Sequence, residues 1–173
     1  MFMSDEGKKP TVHSCAEEVK HQLGDAWLLN IYKEQVRSLR TRSFQLSVPA
    51  KENKVEVMHT LLGVEIKVGR KRITCPDLAT ARYLAVFARI GCDKIAVPYE
   101  INRISVIADA LESSWHRMIL LLDIVAAERN AAFYNKVRKM LVKELRNEML
   151  EEGSGPAIPQ FNQNTKQRNI KIQ

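Results

Sequence analysis

Gly69-Arg70-Lys71-Arg72 places three adjacent cationic side chains beside a glycine. Glycine at the first central position suits a type II′ hairpin turn. The preceding Val64, Ile66 and Val68 alternate with Glu65 and Lys67, as in a half-buried strand. At a hairpin tip Arg70, Lys71 and Arg72 project into solvent and can straddle phosphates. Affinity of that kind comes from counterion release, depends on salt and carries no sequence readout. The same charges also suit a solvated turn that discourages edge pairing. A second group, Lys166, Arg168 and Lys171, lies in an acid-free, amide-rich stretch near the end of the chain. It reads as a solubilising end or as an arm that adds polyanion affinity. No aromatic-rich strand is present to stack bases.

Other reactive residue types lack the company their chemistry needs. Glu112, His116 and Asp123 fall near one face of a helix, but a metal site there requires a matching set from a second helix. No His-x-x-x-His occurs. Cys15, Cys75 and Cys92 are widely spaced, without Cys-x-x-Cys, and read as reduced, buried thiols. A His59–Cys75 pair across the hairpin would need a proximity that spacing alone does not provide. The glycines form neither a dinucleotide fingerprint nor a P-loop, and Gly153-Ser-Gly lacks the spacing of a nucleophile elbow. No catalytic residue, metal ligand or cofactor is assigned. The chain reads as a binding protein, with a small enzyme of unknown reaction as a lesser alternative.

The elements that would position these residues follow from periodicity. Ser14 and Glu17 have capping-box spacing ahead of a helix expected over about 15–39, with Gly24 as a weak point. Phe44, Leu46 and Val48 alternate up to Pro49 and suggest an edge strand. Residues 55–62 fit a strand or a helical turn, with the lean to strand. After the hairpin, Pro76 suits the first turn of a helix capped by Thr74 or Cys75 and ended by Gly91. That helix is apolar nearly all round and belongs in a core. Its Arg82 and Arg89 share a stripe and find acids such as Asp109, Glu112 or Asp123, or an anion at the surface. Lys94 to Pro98 reads as a buried strand or extended connector, and strand, helix and strand together suggest a compact crossover. From about Asn102 the chain is helical to Glu152. Ile104, Ala108, Leu111, Trp115, Met118, Leu122 and Val125 form a seam over three heptads, and a phase break falls near Arg129-Asn130. The seam serves an intramolecular core or a contact with a partner helix, where Trp115, Met118 and Leu122 would be the anchors.

The expected fold is therefore α+β and predominantly helical, with a small sheet and a β-hairpin packed against a buried helix and long C-terminal helices. One domain over 11–152 is expected, between a flexible arm at 1–10 and a disordered basic tail at 153–173. At 173 residues, one domain needs no disulfide staple. No signal peptide or membrane-spanning run is apparent, so a cytoplasmic protein is expected. The net charge of +7 is uneven: residues 51–100 hold nine basic and six acidic side chains, 101–152 hold eight of each, and 153–173 hold three basic and none acidic. These observations point to a nucleic-acid-associated or regulatory protein that contacts a polyanion through the hairpin turn and tail. The alternative is an interaction or assembly factor that pairs with a protein partner, or with its own copy, through the 104–125 seam.

Overall fold

A computed structural model describes residues 9–152. The first elements of the described residues are α1 (Val12–Leu23), a 3-10 turn (Gly24–Ala26) and α2 (Leu28–Gln35). The cap of α1 lies one turn earlier than Ser14 and Glu17 suggest. The Thr11 hydroxyl accepts from the Ser14 amide at 3.0 Å, and the Ser14 hydroxyl accepts from the Thr11 amide at 2.8 Å. The single helix expected over 15–39 is broken outright: Gly24 adopts φ +53°, a conformation that ends an α-helix rather than bending it.

Strand β1 (Thr41–Gln45) pairs antiparallel with β5 (Lys94–Pro98), with Ser43 opposite Ala96. Strands β2 (Val55–Thr60), β3 (Gly63–Val68) and β4 (Lys71–Cys75) form a separate antiparallel meander. The expected crossover is therefore absent from this pair of strands. β4 and β5 belong to different sheets, and β5 takes its hydrogen bonds from the early strand β1. Residues 55–60 are strand, and the leucines at 61 and 62 form the turn that follows. At the second turn Gly69 has φ +61° while Arg70 does not have positive φ, in keeping with type II′. Ile66, Val68, Ile73 and Cys75 turn to the buried side of the meander.

Helix α3 (Leu78–Ile90) packs against all three strands of the meander and against the two helices that follow it. Its cap is Asp77, whose Oδ1 accepts from the Thr80 amide at 2.8 Å. Pro76 thus precedes the cap instead of opening the helix, and neither Thr74 nor Cys75 caps it. Tyr83, Leu84, Val86, Phe87 and Ile90 are fully buried. Phe87 meets Tyr32 edge-on at 6.0 Å and Tyr83 at 5.0 Å between ring centroids. The Tyr83 hydroxyl donates to the Ala96 carbonyl at 2.6 Å, linking α3 to β5. Gly91, with φ +94°, closes the helix in the left-handed conformation.

Two helices complete the fold: α4 (Ile101–Val125) and α5 (Ala131–Glu151). The phase break is a true boundary, because Asn130 caps α5 by accepting from the Phe133 amide at 2.9 Å. The seam of α4 packs on α1, α2 and α3. Trp115 is 5% exposed, Met118 1% and Leu122 0%, so the side chains expected as partner anchors lie within the chain's own core and offer no surface to a second molecule. Among the described residues no helix is long and apolar enough to cross a membrane.

Candidate polyanion-binding site

Arg70, Lys71 and Arg72 are exposed at the β3–β4 turn. They are not equally available. Arg72 lies opposite Lys67 in the ladder, and its Nη1 is 3.5 Å from Glu65 Oε1. Arg70 and Lys71 have no ion pair among the described residues. Lys166, Arg168 and Lys171 lie outside the described residues, as do the arm over 1–8 and the stretch from 153 onward.

A larger cationic feature lies elsewhere. Loop 49–54 and α5 enclose a groove of about 510 Å³, lined by Ala50, Lys51, Glu52, Asn135, Arg138, Lys139, Val142, Lys143 and Arg146. Five of these side chains are cationic and one is acidic. Two are held by neighbours. Arg138 clasps Glu52 with both fork nitrogens, Nε to Oε1 at 2.9 Å and Nη2 to Oε2 at 2.6 Å. The Glu52 carboxylate raises the pKa of the Arg138 guanidinium above its ordinary value. Arg146 Nη1 donates to the Ile90 carbonyl at 2.8 Å, at the end of α3. Lys51, Lys139 and Lys143 are exposed and make no ion pair among the described residues.

The loop wall of this groove is fixed. The Asn53 amide donates to the Arg89 carbonyl at 2.9 Å, and its side-chain Nδ2 donates to the Pro49 and Ala88 carbonyls, each at 3.0 Å. Lys51 packs directly over Gly91, where a Cβ would overlap its carbonyl oxygen and amide nitrogen. Asn53 is 8% exposed and satisfies carbonyls near the end of α3, where helical carbonyls run short of donors.

Sequence reasoning missed this site because α5 separates its charges by face. Glu144 and Glu148 flank Lys20 at 3.6 and 3.0 Å, Trp27 Nε1 donates to Glu148 Oε1 at 2.7 Å, and Glu152, which follows α5, pairs with Arg37 at 2.7 Å. These acids are four residues apart and turn toward α1 and α2. Asn135, Lys139 and Lys143, also four apart, run along the far side. A charge sum over 101–152 cancels the two rows. The signal that could have revealed them is the phase of each sign around the helix.

The remaining candidates do not assemble. Arg82 pairs internally, with Nη2 at 2.5 Å from Asp109 and 2.6 Å from Glu112. Glu112 is therefore committed to an arginine, while His116 is exposed. Arg89 lies over the Trp115 ring at 5.7 Å, and burial lowers its pKa. Among the described residues no three His, Cys, Asp or Glu side chains are grouped so as to hold a metal ion. His59 and Cys75 both face Val64 across the ladder, two strand spacings apart or about 10 Å, too far for proton transfer.

All three thiols are free and buried. Burial raises the pKa of Cys15, that of Cys75 to about 11 and that of Cys92 to about 12. A neutral thiol is a poor nucleophile. Native protein is expected to resist a thiol reagent that titrates all three cysteines after denaturation; rapid modification of one thiol in the folded state would contradict this. The same shifts set a pH dependence. Because the unfolded thiols ionise first, the stabilisation is complete below pH 9 and is lost progressively toward pH 12. The urea midpoint should fall between pH 8 and pH 10.5, and less so in Cys92→Ala.

Compared with known proteins, the chain matches no protein-family model, no curated protein and no solved structure.

Proposed function

We propose that this protein is a non-enzymatic polyanion-binding protein, with nucleic acid as the favoured class of ligand. One observation carries the reading: the groove between loop 49–54 and α5 concentrates five cations against one carboxylate, and Lys51, Lys139 and Lys143 make no ion pair among the described residues. Arg70 and Lys71 at the hairpin tip supply further exposed charge. Lys166, Arg168 and Lys171 belong to the same proposal as an arm. The groove lining contains no aromatic ring, so contact runs to phosphates rather than to stacked bases. Affinity is then weakly dependent on sequence and strongly dependent on salt.

Fluorescence anisotropy with labelled single-stranded and duplex oligonucleotides across a salt series tests this. The logarithm of the binding constant should fall linearly with the logarithm of salt concentration, with a slope of about −0.7 per phosphate neutralised on a single strand. Changing Arg70, Lys71 and Arg72 together to glutamate should weaken binding and flatten that slope. Absence of binding to either oligonucleotide at low ionic strength would overturn the proposal.

A further inference from the structure

We infer that the groove between loop 49–54 and α5 is a discrete site for a run of closely spaced phosphate groups, in which Glu52 is a built-in competing anion. The inference rests on the polyanion reading and narrows it to a ligand class and a position. Four features support it. The volume, about 510 Å³, is that of a small-ligand cleft and accommodates a short phosphate chain rather than a duplex. Lys139 and Lys143 are one helical turn apart, about 6 Å along the axis, so successive anionic groups can meet successive lysines. The facing wall is held in place by the three Asn53 hydrogen bonds and by the packing of Lys51 on Gly91, so the charges need little reorganisation before a ligand arrives. Finally, the Arg138 fork already grips a carboxylate on two sides, and the same planar fork fits a phosphate.

Glu52 has two consequences in this arrangement. It keeps Arg138 aligned before a ligand arrives, and it is the one negative charge of the lining, which repels an entering phosphate. A ligand either displaces the carboxylate from Arg138 or binds the lysines beside an unfavourable charge. Removing the charge while retaining the shape therefore favours binding.

The chemistry is shared by a free oligophosphate and by the backbone of a single nucleic-acid strand, and the experiment separates them. Inorganic tripolyphosphate and a ten-residue oligothymidylate are titrated into wild type, Lys139→Glu/Lys143→Glu, Glu52→Gln and a charge-matched control, Arg103→Glu/Arg117→Glu on α4. Lys139 and Lys143 are exposed, so their variant is expected to fold, which its melting curve verifies. The lysine variant should lose about tenfold or more in affinity for tripolyphosphate, while the control stays within about twofold of wild type. Competition between the two ligands in wild type would show that both enter the groove. Binding of tripolyphosphate alone would assign the site to free oligophosphates. Glu52→Gln should bind at least about threefold more tightly, by relief of one like-charge repulsion.

Equal losses in the lysine variant and the control would overturn the discrete site, leaving only diffuse charge attraction. Glu52→Gln with wild-type or weaker affinity, and a melting temperature close to wild type, would overturn the role of Glu52. Oligothymidylate binding that survives Lys139→Glu/Lys143→Glu but is lost on reversal of Arg70, Lys71 and Arg72 would reject the groove and leave the polyanion reading standing. Failure of wild type to bind either ligand would reject both.

Discussion

Gly91→Ala is expected to lower stability by about 3 kcal/mol or more, at the upper end of single-substitution effects. Two independent costs combine. Gly91 has φ +94°, outside the region where L side chains are comfortable, so alanine is strained there whatever space surrounds it. Space is also lacking: the added Cβ would overlap the Lys51 backbone and approach the Pro49 carbonyl to 3.0 Å. The obstacle is backbone, so a rotamer change cannot relieve it. Either α3 loses its left-handed stop or loop 49–54 lifts away and breaks the Asn53 bonds to the Pro49, Ala88 and Arg89 carbonyls. Urea denaturation followed by tryptophan fluorescence measures the loss; an unchanged midpoint would show that the loop is not seated on this glycine. Because the loop carries Lys51 and Glu52, the proposed polyanion binding should also be weaker in any residual folded population.

Phe87→Ala should cost about 3–5 kcal/mol, the range for deleting a fully buried aromatic ring. Phe87 is 0% exposed and joins Tyr32 of α2 to Tyr83 within α3. The tyrosines cannot collapse into the vacated space at no cost. The Tyr83 hydroxyl is fixed on the Ala96 carbonyl, and any shift of its ring strains or breaks that bond. Domains of this size have total stabilities of about 5–15 kcal/mol, so this one substitution removes a large share. A drop of less than about 1 kcal/mol in urea denaturation would argue that Phe87 is not packed between Tyr32 and Tyr83 in the core.

The fold was readable where pattern is local. The hairpin at 69–70, the glycine stop at 91, the buried character of α3 and the break before α5 all follow from residues within a turn or two of the feature. Pairing between distant strands was not readable, because β1 finds β5 nearly fifty residues later and no alternation of Phe44 or Ile95 names its partner. The same holds for caps: Ser14 and Glu17 have the right spacing, yet Thr11 and Ser14 form the box, and Asp77 displaces Thr74 and Cys75. Competing caps differ by about 1 kcal/mol, so packing decides among them. For the candidate site, residue type was visible and grouping was not. Arg70, Lys71 and Arg72 are contiguous and stood out, whereas Lys51, Lys139 and Lys143 come together only when loop 49–54 seats on the end of α3. Trp115, Met118 and Leu122 erred in the other direction: their heptad spacing is equally suited to an internal seam and to a partner helix, and burial by α1, α2 and α3 decides for the former.

The segregation of charge on α5 has a kinetic consequence. With Glu144 and Glu148 on one flank and Lys139 and Lys143 on the other, the helix has an electric dipole transverse to its axis, in addition to the axial one of its peptide groups. Under the proposed binding, a polyanion's field acts on the exposed row of Lys139 and Lys143 and favours encounters with the groove side of α5 foremost. Orientational selection of that kind raises the productive fraction of encounters and is screened by salt over a Debye length of about 10 Å at 0.1 M. Ionic strength should therefore act on the association rate more than on the dissociation rate.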